Sequence, residues 1–176
     1  MINDAIDGAE LHDVVPIRDG AYGVPWKERV LDLSGLALPA QDYAEYLINT
    51  FSFTMDPLYY LFDKAAFLKR TQKFYEDRNM GREQTLNLWH IQMIVVFAFG
   101  KSILAREAGL SGPTGAVYFA RAVEALPDNF RLCQEPILAI EILCLFALFM
   151  QAMDMRLAAC NYVHRIFSPP WKLMTD

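Results

Sequence analysis

Histidine and cysteine are scarce in this chain, with three of each among 176 residues. Cys133, Cys144 and Cys160 are widely spaced and form no C-x-x-C pair, which excludes a zinc module and a disulfide framework. Free thiols in apolar surroundings fit a reducing compartment, nuclear or cytoplasmic. His12, His90 and His164 do not fall at metal-ligand spacing with other donors, so neither a metal nor a cofactor is expected. Positive charge is short as well: 16 Lys and Arg stand against 21 Asp and Glu, for a net charge of −5. The basic patch of a nucleic-acid binder is missing, and direct contact with nucleic acid by this chain is not expected. No glycine-rich phosphate loop and no strand-period segment occurs. The opening MINDAIDGAELHD is acidic and has no apolar core, so it is not read as a signal peptide.

Long apolar runs are also wanting. Ile137 to Met153 reaches only the lower limit of about 17 residues for a spanning helix, and Glu141 sits inside it. Leu88 to Leu104 is interrupted by His90, Gln92, Gly100, Lys101 and Ser102. No membrane partner is expected.

What is present is apolar mass. The chain is 54% hydrophobic and 13% aromatic, an excess that needs a core or an interface to hide it. At this length roughly 70% of the unfolded surface can be buried in one domain. In Ile137–Met153 only Glu141 and Gln151 are polar, so the helix has no wet face and reads as the central helix around which the others pack.

Other helices follow from spacing and punctuation. Pro39 suits a first helical turn, and Tyr43, Tyr46, Leu47 and Phe51 then share one face. Asp63 is a fair N-cap for a helix with Phe67, Leu68 and Phe74 or Tyr75 inside and Lys64, Lys69, Arg70 and Lys73 solvated. A long helix is predicted from about Glu83 to Glu107. Thr114–Leu126 follows with Val117, Tyr118, Ala122 and Leu126 inward. Glu135-Pro136 opens the central helix, and Asp154-Met155 turns it into Arg156–Ile166 with Leu157, Cys160, Tyr162 or Val163 and Ile166 inward. Ser168-Pro169-Pro170 stops the last one. The expected fold is all-α, a single domain of about six helices over 38–167. Residues 1–37 read as a poorly ordered or loosely packed tail, whose end Val30, Leu31, Leu33, Leu36 and Leu38 could pin to the body, and 168–176 as a second tail.

No recognisable active site emerges, and an enzyme is not the favoured reading. Glu141 is the odd residue, because an acid on a helix without a wet face must be paired, neutral or lining a cavity. Pairing with Arg121, Arg156 or Lys101 is the structural account. The functional one is a carboxyl of raised pKa in a pocket for a small apolar molecule, lined by Trp89, Met93, Phe97, Glu141, Phe146 and Met150. Glu141 and His90 are the weak catalytic candidates. His90, on an apolar stripe, is equally a core histidine satisfied by backbone.

Four stretches in combination resemble the fungal-specific transcription factor domain, the middle regulatory region of fungal binuclear zinc-cluster regulators. They are LALPAQDYAEYLINTFSFTMDPLYYLFDKAAFL, LWHIQMIVVFAFGKSILA, GAVYFARAVEALP and EPILAIEILCLFALFMQAMDMRLAACNYV. The resemblance covers about residues 38–163. It implies an all-helical domain that regulates activation through a small-molecule signal or another protein. Three departures stand out. The six-cysteine zinc cluster is absent. Glu141 stands where the family usually has glutamine. The last helix runs into His164-Arg165-Ile166-Phe167 and a Pro-Pro stop instead of the second half of the family domain. A truncated or diverged member would expose an apolar face, which predicts a homo-oligomer or a protein partner.

Overall fold

The computed structural model describes residues 14–17, 24–27, 36–82, 86–105 and 114–167. The chain divides into two units, Met1–Val30 and Leu31–Asp176. In the first, β1 (Val14–Ile17) pairs antiparallel with β2 (Val24–Lys27), and Pro16 stands opposite Pro25. This ribbon corrects the expectation that strand is absent. Each strand is only four residues long and carries a proline, so periodicity cannot reveal it. Every strand of a two-stranded ribbon is an edge, where a missing N–H is tolerated. The rest of the expected tail over 1–35, with Val30, Leu31 and Leu33, lies outside the described residues, as does 168–176.

The second unit is all-α, as the sequence predicts. Its helices are α1 (Gln41–Met55), α2 (Lys64–Asn79), α3 (Leu88–Leu104), α4 (Ala116–Glu124), α5 (Asn129–Gln134), α6 (Pro136–Ala152) and α7 (Arg156–Phe167). That makes seven among the described residues, one more than expected. The addition is α5, too short to show a period and started by Asp128, whose carboxylate accepts the Arg131 N–H at 3.1 Å.

Several helix boundaries follow local chemistry. Asp63 accepts the N–H groups of Ala65 and Ala66 and so caps α2. Pro136 occupies the first turn of α6, where its missing N–H costs nothing. Asp154 takes a positive φ of 57° in the tight link to α7, a conformation that Asp tolerates better than most residues. Pro39, by contrast, precedes α1 instead of sitting in its first turn, because Ala40 is the N-cap. The long helix starts at Leu88, later than expected, because Asn87 caps it.

The most enclosed helix is α3, not the run Ile137–Met153. Every residue from Leu88 to Gly100 is buried, whereas α6 exposes Ile137 and Ile140 near its start. Helix α3 packs against α1, α4 and α6, and α6 in turn against α5 and α7. Small residues make the crossings close. A Cβ on Gly100 would lie 2.7 Å from the Leu47 carbonyl oxygen, and one on Gly115 would overlap the backbone of Ala98.

The inward faces differ in part from the expected ones. Tyr43, Tyr46, Val117, Leu157 and Cys160 are exposed, while Ala44, Ile48, Phe119 and Ala159 are buried. The buried stripe of a helix is set by which neighbour it meets, and spacing alone does not name that neighbour. Leu36 and Leu38 pack partly buried on this core, as expected. The same incoming segment is held by two hydroxyls: Tyr118 donates to the Ala37 carbonyl at 2.6 Å and Tyr75 to that of Pro39 at 2.8 Å. Among the described residues, no helix is long and apolar enough to cross a membrane.

Candidate functional site

Helix α6 borders two concave regions. Its first half, Glu135 to Glu141, forms one wall of a cleft of about 510 Å³ whose other walls come from α2 and the start of α3. Aromatic packing builds those walls. Phe62 stacks on Phe67 at 4.4 Å between ring centres, Phe67 meets Trp89 at 5.6 Å, and the Arg70 guanidinium lies 4.6 Å over the Trp89 ring. Polar groups join this frame from three helices.

Glu141 is half-buried in that cleft, and its Oε2 accepts a 2.8 Å hydrogen bond from the Gln92 amide. Burial raises its pKa, and the Gln92 bond opposes the rise. The partner is therefore neutral, and the three cations expected to pair with Glu141 are engaged elsewhere. Arg121 bonds Glu124 at 3.0 Å, Arg156 bonds Asp154 at 2.8 Å, and Lys101 lies over the Tyr118 ring. Each of these partners is close in sequence or on the adjoining helix, and a short tether outcompetes a distant charge. Arg70 is held below its ordinary pKa by partial burial, while the charge of Glu135 works in the opposite direction.

His90 is buried and does not line this cleft. Its Nδ1 accepts the Asn87 backbone N–H at 3.0 Å, and the Asn87 side chain caps the start of α3 in return. An acceptor Nδ1 leaves the proton on Nε2, so the ring is neutral. Burial lowers its pKa to about 4. His90 thus serves as half of a helix cap, stacked edge-on against Phe74 and Trp89.

Of the other residues proposed for a pocket, Trp89 joins Glu141 in the cleft, and the rest do not. Met93, Phe97 and Phe146 are fully buried and Met150 nearly so, within one closed core. Around Glu141 the concavity opens to the surface instead of lying inside the domain. Sequence reasoning missed Phe62, Phe67, Arg70, Gln92 and Glu135 as its lining. Gln92 offered the one readable signal, an amide inside an apolar run, but its partner lies 49 residues away.

The second half of α6 borders a groove of about 590 Å³ shared with α7 and the connector before α2. Cys144, Ala147, Leu148, Ala159, Cys160, Val163 and Ile166 supply its floor and sides, Tyr59 and Leu61 one rim. Burial raises the Cys144 pKa, and nearby Glu141 raises it further, so this thiol is a poor nucleophile. Among sequence neighbours of the lining residues, Leu157 is 86% exposed, Tyr60 80% and Leu58 71%.

Among the described residues, no group of three or more His, Cys, Asp or Glu could hold a metal ion. Compared with known proteins, the chain matches no family model, and no curated protein and no solved structure is similar to it.

Proposed function

We propose that this chain is a regulatory or interaction module, of the kind implied by its resemblance to the fungal transcription factor domain, and that it works by association. The observation that carries this reading is the apolar groove between α6 and α7, together with the exposure of Leu58, Tyr60 and Leu157, sequence neighbours of its lining residues. An apolar groove and exposed apolar side chains favour a partner that removes them from water. A second copy of the chain suits the groove, because the same region offers both a hollow and a ridge. A two-fold pairing would set the Leu157–Val163 side of each α7 against the other's groove. On this reading the module acts in the nucleus or cytoplasm, and any control of transcription is exerted through a partner that reads DNA.

Light scattering and native mass spectrometry at micromolar concentration test it. A dimer that Leu157→Glu or Val163→Glu converts to a folded monomer supports the reading. A wild-type monomer at that concentration, or a dimer indifferent to both substitutions, overturns it.

A further inference from the structure

We propose that the cleft between α2, α3 and α6 is a binding site for a small organic ammonium compound, a primary amine carrying an aromatic or apolar body, with Glu141 as its counter-ion. This goes beyond the interaction module and does not rest on it, since the two sites use different halves of α6.

Size and walls come first. A cleft of about 510 Å³ lies in the range of small-molecule pockets, and Phe62, Phe67, Trp89, Pro136 and Ile137 give it apolar surfaces. Charge then narrows the ligand. Three carboxylates, Asp63, Glu135 and Glu141, stand with one guanidinium, Arg70, which disfavours an anion. Asp63 is committed to the first N–H groups of α2. Arg70 is stacked on Trp89, and its charge is favoured by that of Glu135. Glu141 is the acid left over.

What Glu141 lacks defines what it would accept. Gln92 donates to Oε2 but brings no charge, and among the described residues no protein donor reaches Oε1. A half-buried carboxylate so placed has lost hydration without gaining a cation. An alkylammonium supplies the missing donor and the missing charge together, while its body covers the aromatic walls. A neutral molecule of the same shape would only deepen the desolvation of Glu141. A metal ion would need converging ligands, which the described residues do not provide.

Phenethylamine and 2-phenylethanol make a matched pair of probes, the same body with and without the charge. Each is titrated into the full chain at neutral pH while the indole N–H signal of Trp89 is followed by NMR. The expected result is saturable binding of the amine, at least tenfold tighter than the alcohol, and a loss of at least tenfold in Glu141→Gln. Ile137→Lys gives a second test that does not touch the acid. Ile137 is 74% exposed at the cleft edge, and a lysine there stands one turn before Glu141, where it would compete with the ligand. No saturable response to the amine up to roughly 10 mM, equal binding of amine and alcohol, or undiminished amine binding by both variants would each overturn the proposal. Dimer formation in the same samples reports separately on the α6–α7 groove.

Discussion

Along its first half, α6 borders a cleft where Glu135 and Glu141 stand with Arg70 and Gln92 among aromatic rings. Along its second half the same helix borders a groove to which only Gln151 and Arg156 bring strongly polar side chains. The difference lies in what each neighbour contributes. Helices α2 and α3 bring Arg70 and Gln92 to the cleft, whereas α7 brings Ala159, Cys160, Val163 and Ile166 to the groove with Arg156 at its start. One helix without a wet face therefore supports directional chemistry at one end and non-directional burial at the other. Glu141 on α6 and Arg70 on α2 put charge at the first end, whereas α6 brings none to the second.

The largest expected effect removes the comparison altogether. Gly100→Ala forces a methyl into the Leu47 backbone, which cannot step aside as a flexible side chain can. A loss of more than about 3 kcal/mol is expected in urea unfolding, with cleft and groove lost together. Survival of wild-type stability would mean that α1 and α3 cross less closely than described.

Acid should act at the start of α3, where His90 is half of the helix cap. Folded His90 takes its proton only near pH 4, whereas the unfolded chain takes it near 6.5. Between those values the unfolded state binds more protons, so stability falls as pH drops from about 6.5 to 4, by up to ~3 kcal/mol. Glutamine can keep the capping geometry without titrating, so His90→Gln should flatten that part of the stability profile. An unchanged profile would remove His90 from the account.

Leu157→Glu should sharpen the contrast by touching the groove alone. Its side chain is 86% exposed, so monomer stability should move by less than about 0.5 kcal/mol while association is lost. Light scattering and thermal melting together separate the two effects.

The smallest effect belongs to Glu141→Gln. A raised carboxyl pKa means that the folded state holds the proton more tightly. The contribution to stability is therefore present at low pH and lost as pH rises through the carboxylate range. Glutamine should raise the melting temperature slightly at neutral pH and leave it unchanged in acid. A lower melting temperature at neutral pH would show instead that the charge is favourably paired.

Much of the helical order was legible because it is written locally. Asp63, Pro136 and Asp154 mark boundaries with chemistry confined to a few neighbouring residues, and a long apolar run announces a buried helix. The β1–β2 ribbon and α5 escaped because four or six residues are too few to establish a period. Which apolar run lies deepest also escaped, since burial of α3 depends on where α1, α4 and α6 cross it. The anomaly of Glu141 was visible as an acid in an apolar run. Its partner was not, because the Gln92 contact joins residues on different helices and leaves no trace in either one's spacing.

The two tyrosine hydroxyls that hold the incoming segment have a consequence for how the sequence can drift. Each donates only to a main-chain carbonyl of the segment it fastens, and every amino acid has one. Identity at positions 37 and 39 is thus almost free where these fastenings are concerned, while Tyr75 and Tyr118 carry the whole specification. A mutational scan would find the constraint far from the segment being constrained.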